Sequence, residues 1–293
     1  MAAIAATGAR GAALFPALFV LLWSTGFIAA KYGLPYAPPF SFLFFRFALV
    51  ATLMAALALA TGARRPRSLR EWRDLALVAL GVHALYLGGV FVALDGGMAA
   101  GTSAMLVGMQ PILTVVLAHF WLDEPVRARQ WAGLFLGLAG VWCVVRLKVD
   151  FGGALSGLAA SAIALVGISM GTLYQKRHCA HVDLISGAAI QYAVCAAVFA
   201  PLAWLADARA VQWVPSFVFA LSWSVVVLSV GAITLLYWLL RHGAAANVAR
   251  LFYLVPPVTA VMAWLLFGET LDPLAIAGMA LICVGVALAR RPA

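Results

Sequence analysis

The sequence predicts an all-α membrane protein of ten transmembrane helices, arranged as two inverted five-helix repeats. Three observations predict it. Of the 293 residues, 66% are hydrophobic and only 10% are charged, and the mean hydropathy is +1.05. A soluble domain runs at roughly 45–50% apolar and about 25% charged, so this much apolar surface needs a bilayer. The apolar residues also fall into ten runs, each near the ~20 residues that cross a hydrocarbon core. Finally, the second half of the chain repeats the first at one fixed, ungapped offset. This composition excludes a disordered chain, a collagen, a secreted disulfide scaffold and a nucleic-acid-binding domain.

The ten runs cover residues 12–31, 39–60, 74–94, 98–122, 128–146, 154–174, 183–205, 215–240, 244–267 and 272–289. They are too long and too continuously apolar for the alternating strands of a membrane barrel. The first follows Arg10 as a signal peptide would. It continues through Trp23 and Phe27 without a small-x-small cleavage site, so it reads as an uncleaved first helix. The longest polar interruption runs from Thr61 to Arg73, which leaves no room for a soluble domain. Cys143, Cys195 and Cys283 sit inside apolar runs and Cys179 sits in a basic loop. No Cys-x-x-Cys occurs, so no disulfide framework, metal site or cofactor is expected.

The net charge of +9 reads as a topology signal and not as nucleic-acid affinity. With the N-terminus inside, Arg10, Arg64, Arg65, Arg67, Arg70, Arg73, Arg127, Arg129, Lys176, Arg177, Arg241, Arg290 and Arg291 face the cytoplasm. Only Lys31, Arg146, Lys148 and Arg209 face outward, while Arg46 and Arg250 lie within spans. The asymmetry predicts a multi-pass protein of the cell inner membrane with both termini cytoplasmic.

The repeat has an offset of 145 residues. Ser24, Gly26 and Lys31 fall on Ser169, Gly171 and Lys176, and Ser41 falls on Ser186. Pro111, Thr114 and Ala118 fall on Pro256, Thr259 and Ala263. Glu124 falls on Glu269, Gly133 on Gly278, Gly140 on Gly285, and Arg146 on Arg291. The two units are 12–146 and 154–289. Each holds five spans, an odd number, so the second enters the membrane from the opposite side. An inverted repeat of this kind points to a transporter.

Two five-helix halves, each ending in Pro…Glu…Gly…Gly, resemble the EamA type of the drug/metabolite transporter superfamily. The residues are Pro111, Glu124, Gly133 and Gly140 in the first half, and Pro256, Glu269, Gly278 and Gly285 in the second. Leu22-Trp23-Ser24 followed by Lys31, and Arg46 in the second span, are also similar to that family. The resemblance implies ten helices and export of small metabolites; one branch of the family exports amino acids, aromatic ones included.

No Asp or Glu lies deep in a span, and there is no His-Glu-x-x-His, nucleophile elbow or Walker loop. An ATP-driven pump is therefore excluded for this chain alone, and a carboxylate proton relay is unsupported. The candidate substrate-binding residues are polar or aromatic groups at depth. His83 and Tyr86 are three apart and share a helix face; a polar group there must face a cavity or a partner helix. Trp23 lies mid-span, where it serves either as a cavity wall or as packing. Met105 shares a face with Met109 and reads as packing or as an adaptable pocket wall. Gln110 is polar at depth beside Pro111. Proline removes a helical donor, so Pro111 and its repeat partner Pro256 read as hinges or as tolerated kinks. Asn247 and Arg250 form a stripe at helical spacing with Tyr253 adjacent. Arg250, roughly 9 Å into its span, either snorkels or meets a substrate carboxylate. Arg46 has the same ambiguity, and its repeat partner is Gln191. Glu124 and Glu269 read as caps of the helix that follows each of them, and Gly133, Gly137 and Gly140 as a packing or dimer face.

Together these predict a secondary transporter exporting small organic metabolites, amino acids among them, by alternating access. It would act in the lipid bilayer as a monomer or homodimer, with no nucleic-acid partner. The alternatives are an intramembrane enzyme using His83 or His119, a drug or cation exporter, and a scaffold built on the glycine faces.

Overall fold

The structure is a computed structural model that describes residues 9–122, 127–146, 154–232, 235, 239, 251–270 and 272–289. Its helices are α1 (Ala9–Gly33), α2 (Pro39–Thr61), α3 (Leu69–Asp95), α4 (in two pieces, Ala100–Gly108 and Gln110–Leu122), α5 (Ala128–Arg146) and α6 (Ala154–His178). Then follow α7 (Leu184–Leu205), α8 (described over Pro215–Ala232), α9 (described over Phe252–Phe267) and α10 (Pro273–Ala289). Seven are long and apolar enough to cross a membrane, and α9 and α10 are shorter apolar helices. With α5 they make the ten predicted from hydropathy, and no strand occurs among the described residues.

The third span starts at Leu69, ahead of the expected 74, and its cause is a cap. Ser68 Oγ accepts from the Glu71 N–H at 3.2 Å, while Glu71 Oε2 accepts from the Arg67 N–H at 2.7 Å. The Ser68-Leu69-Arg70-Glu71 pattern satisfies the orphan donors of the first turn and extends the helix into a basic stretch. At the other end of the preceding loop, Gly62 closes α2 in the left-handed region at φ 63°.

The inverted repeat is visible in the backbone. α3 widens to a π-helix over Ala79–Leu85 and α8 does so over Trp223–Ala232, 145 residues on. α4 breaks at Met109, and α9 is interrupted by a 3-10 turn over Phe252–Leu254, again 145 residues on. Packing follows the same two-fold plan, with α2 against α7, α5 against α10 and α4 against α9. α3 lies against α6 as α1 lies against α8. Even single contacts exchange. Ser41 binds Asp207, which follows α7, and Ser186 Oγ donates to the Arg64 carbonyl, which follows α2.

α5 and α10 cross on glycine. A Cβ on Gly140 would lie 2.6 Å from the Gly278 carbonyl oxygen, and one on Gly285 would lie 2.5 Å from that of Gly133. These glycines let two backbones meet inside the monomer, so this face is occupied and is not free for a dimer or a scaffold partner. α3 and α6 make a second close crossing, where a Cβ on Gly171 would lie 2.7 Å from the Val82 nitrogen. Its repeat mate Gly26 is looser, with Leu228 Cδ1 nearest at 3.7 Å. The centre is an aromatic core in which Phe42 meets Phe91 and Phe217 edge to face at 5.1 and 5.2 Å.

Candidate solute site

The polar residues that cannot face lipid collect between α2, α3, α7 and α8. Arg46 leaves α2 about two turns below its start and is 8% exposed. Its Nη2 donates to Ser229 Oγ in the widened turn of α8 at 3.4 Å, and its Nε has no partner. Tyr86 and Tyr192 are close enough to interact electrostatically with the guanidinium, and His83 likewise. His83 Nε2 lies 3.2 Å from Gln191 Oε1, a bond the imidazole N–H donates to the amide oxygen. The His83 ring also lies 4.8 Å from Tyr192 and 6.1 Å from Phe47.

Local structure aims these groups. His83 sits in the π segment of α3, where the extra residue per turn rotates it relative to a regular helix. Ser229 sits in the matching segment of α8 and spends its own hydroxyl on the Ser224 carbonyl at 3.0 Å. Arg46 and Gln191 are repeat partners, so the two-fold axis brings α2 and α7 together on the same pair of positions.

The other candidates distribute around this cluster. Tyr86 is half-buried beside Arg46. Trp23 lies in a different ring cluster, 5.3 Å from Phe19 and 5.1 Å from Phe252. Met105 is buried with Met109, Ile112 and Met279 between α4 and α10. Gln110 Nε2 donates to Thr172 Oγ1 at 3.3 Å and ties α4 to α6. Tyr253 lies in the 3-10 turn, and its carbonyl, deprived of a helical donor by Pro257, accepts from Cys283 Sγ at 3.5 Å. Pro111 follows the α4 break, and Pro256 follows the α9 turn and packs on Gly108. Asn247, Arg250 and Glu124 lie outside the described residues.

One expectation is corrected. Glu269 does not cap α10, which follows it; Asp272 Oδ1 does, accepting from the Leu274 N–H at 2.8 Å. Glu269 instead reaches the start of α4 in the other half. It accepts from the Ala100 and Gly101 N–H groups at 2.8 and 3.4 Å and forms an ion pair with Lys31. The Lys31 ammonium also lies 5.2 Å from the Phe267 ring centre. At the same end Arg209 pairs with Asp95, and Asp207 accepts from the Ser41 N–H and hydroxyl at 2.6 and 2.7 Å. The two halves are thus held together by charge at the Lys31 end of the bundle.

Arg46 and Gln191, which the sequence pairs through the repeat, both lie in this cluster. The usable signal was the repeat itself, which pairs them, together with the cost of an arginine inside a span.

Ten helices in inverted halves, with helices interrupted at matching points beside a buried polar cluster, define a polytopic membrane transporter. The chain belongs to the EamA-like transporter family, of the drug/metabolite transporter superfamily, which matches residues 10–146 and again 155–291. It is 29% identical over 281 residues to the uncharacterized transporter YvbV of Bacillus subtilis, covering 94% of this chain and 90% of that one. It is 28% identical to a probable terminal-alkyne amino-acid exporter of Streptantibioticus cattleyicolor, covering 94% and 91%. It is also 28% identical to a probable amino-acid metabolite efflux pump of Salmonella typhimurium, covering 92% and 91%. A crystal structure superposes with a TM-score of 0.65 at 21% identity, covering 94% of this chain and 96% of that one, and so shares the fold. Family members and relatives are transporters, so the chain is a membrane transporter and not an intramembrane enzyme.

Proposed function

We propose that this transporter exports small organic metabolites, amino acids among them, across the cell inner membrane by alternating access. The observation that carries the reading is the polar cluster of Arg46, His83, Gln191 and Ser229, enclosed between inverted halves whose α4 and α9 break at equivalent positions. Polar groups at such depth are costly without a purpose. The breaks at Met109 and Phe252–Leu254 supply places where helices can bend, with Pro111 and Pro256 as hinges. The ion pairs at the Lys31 end close that face. Rocking one half against the other breaks them and opens that face while the opposite path closes. Two relatives are described as exporting or effluxing amino acids or their metabolites, which supports this substrate class.

The test is counterflow of labelled amino acids in liposomes containing the purified protein. We expect uptake above empty liposomes, at least tenfold lower initial rates in His83→Ala, and reduced rates in Pro111→Ala and in the double variant Pro256→Ala/Pro257→Ala. The double variant is needed because Pro257 alone still withholds a donor. No counterflow of any amino acid would overturn the substrate class; unchanged rates in both proline variants would remove the hinges.

The orientation is tested separately. Reporters active on one side of the membrane, fused to each terminus and inserted between Arg64 and Arg67, should all report the cytoplasm. Activity on the far side at any of the three would overturn the proposed topology.

A further inference from the structure

The unpaired half of Arg46 is the feature that no packing role explains. Arg46 is 8% exposed and lies within the membrane-spanning bundle, yet its Nε has no hydrogen-bond partner and, among the described residues, its one bond is the long one to Ser229. A buried charge is stable only when it is paired.

Among the described residues no carboxylate supplies the pair. In the sequence no Asp or Glu lies deep in an apolar run, and the described ones lie in loops or within two turns of a helix end. Several of them are engaged elsewhere. Asp207 is bound by Ser41, Asp95 by Arg209, and Asp74 by Arg73 and the Tyr174 hydroxyl at 2.9 Å. The neighbours of Arg46 are neutral: Tyr86, Tyr192, His83 and Ser229. His83 carries no compensating negative charge in either protonation state, and Gln191 is already occupied by it. The site therefore holds one unbalanced cation among neutral donors, acceptors and rings.

We propose that Arg46 is the anion anchor of the transport site and that it takes the carboxylate of a small monocarboxylic solute, an amino acid or a related organic acid. This rests on the transport reading above and narrows it. The planar guanidinium presents parallel N–H donors that match a carboxylate, and Nε is one of them. A single cation balances a monoanion and leaves a phosphate dianion half-compensated. The Phe47 and Tyr192 rings, 5.9 Å apart and stacked, are buried behind His83 and fix its ring. An amino group would meet only neutral acceptors here. Removing the carboxylate from a ligand must then cost more than removing its amine. A cationic drug is disfavoured for the same reason.

The experiment uses the full chain in lipid nanodiscs and reads ligand-induced thermal stabilisation, since a ligand that binds only the folded state raises its stability. The probes are phenylalanine, phenylalaninamide and 3-phenylpropionate. In the wild type, phenylalanine and 3-phenylpropionate should stabilise the protein with apparent affinities about tenfold or more above that of the amide. In Arg46→Gln both acids should fall to the level of the amide, while Arg46→Lys, which keeps the charge and loses the fork, should retain part of the preference. Equal effects of acid and amide on the wild type would overturn the proposal without any variant. So would no stabilisation by either acid, or an acid preference surviving intact in folded Arg46→Gln. If Arg46→Gln fails to fold, the acid–amide comparison in the wild type and in Arg46→Lys decides. Amino-acid counterflow with no acid preference would sink the anchor and leave the transport reading standing. Acid binding without counterflow would do the reverse.

Discussion

Gly140→Leu and Gly285→Leu should each abolish accumulation of folded transporter, and the alanine variants should already lower thermal stability measurably. A Cβ at Gly140 meets the Gly278 carbonyl oxygen at 2.6 Å, Ile282 Cγ1 at 2.8 Å and the Ile282 nitrogen at 3.0 Å. At Gly285 it meets the Gly133 oxygen at 2.5 Å and the Gly137 nitrogen at 2.8 Å. The obstacles are mainly backbone, which cannot rotate aside, so the whole α5–α10 crossing must separate. Overpacking a tight core costs typically about 1–3 kcal/mol and sometimes more, and leucine adds three further carbons to the clash. Gly26→Ala is the control. Gly26 is the repeat mate of Gly171, yet its nearest neighbour would be Leu228 Cδ1 at 3.7 Å, ordinary contact. It should be tolerated, while Gly171→Ala, which would press on the Val82 nitrogen at 2.7 Å, should not be. Melting temperature and monodispersity in one detergent check all of these. A wild-type melting temperature in both leucine variants would refute the α5–α10 crossing. A change of oligomeric state with normal monomer stability would return the glycine face to a dimer.

Glu269→Ala should be the most damaging single change at the Lys31 end, and exchanging the two charges should not repair it. The Glu269 carboxylate holds the Lys31 ammonium and also receives the Ala100 and Gly101 N–H groups at the start of α4. Removing it strands a half-buried ammonium and two helix-terminal donors, on the order of 2–3 kcal/mol. A simple ion pair would be restored in the double variant Lys31→Glu/Glu269→Lys. Here the new lysine would point an ammonium at a helix N-terminus, which carries partial positive charge and offers only donors. We therefore expect the double variant to remain as unstable as Glu269→Ala, with counterflow correspondingly lowered, and Glu269→Gln to fall between the two. Recovery of stability and transport by the charge exchange would show that the helix cap contributes nothing.

Much of the fold could be read along the chain because a bilayer imposes one-dimensional rules. A span must be about 20 residues long and apolar, so hydropathy placed the ten helices. An ungapped repeat of two odd units must invert, so the offset of 145 residues fixed the two-fold relation. The early start of α3 was written in Ser68 and Glu71, a local cap that hydropathy overlooks because the stretch is basic. The candidate site was less legible. His83 stood out as a polar group at depth, while Met105, read as packing or as a pocket wall, is buried beside Met109 and Ile112. Side-chain type does not distinguish a cavity wall from an interior when nearly every residue is apolar.

Local composition and the repeat account for the class of protein, the helices, the inversion and the pairing of Arg46 with Gln191. Only the tertiary structure decided which groups meet. His83 meets Gln191 across 108 residues, Arg46 meets Ser229 across 183, and Lys31 meets Glu269 across 238. It also decided that Gly140 and Gly285 are consumed inside the monomer and that Glu269 caps a helix of the opposite half. The physical reason is that hydropathy acts residue by residue. Satisfying a buried polar group is a property of pairs, and those pairs exist only once the two halves have packed.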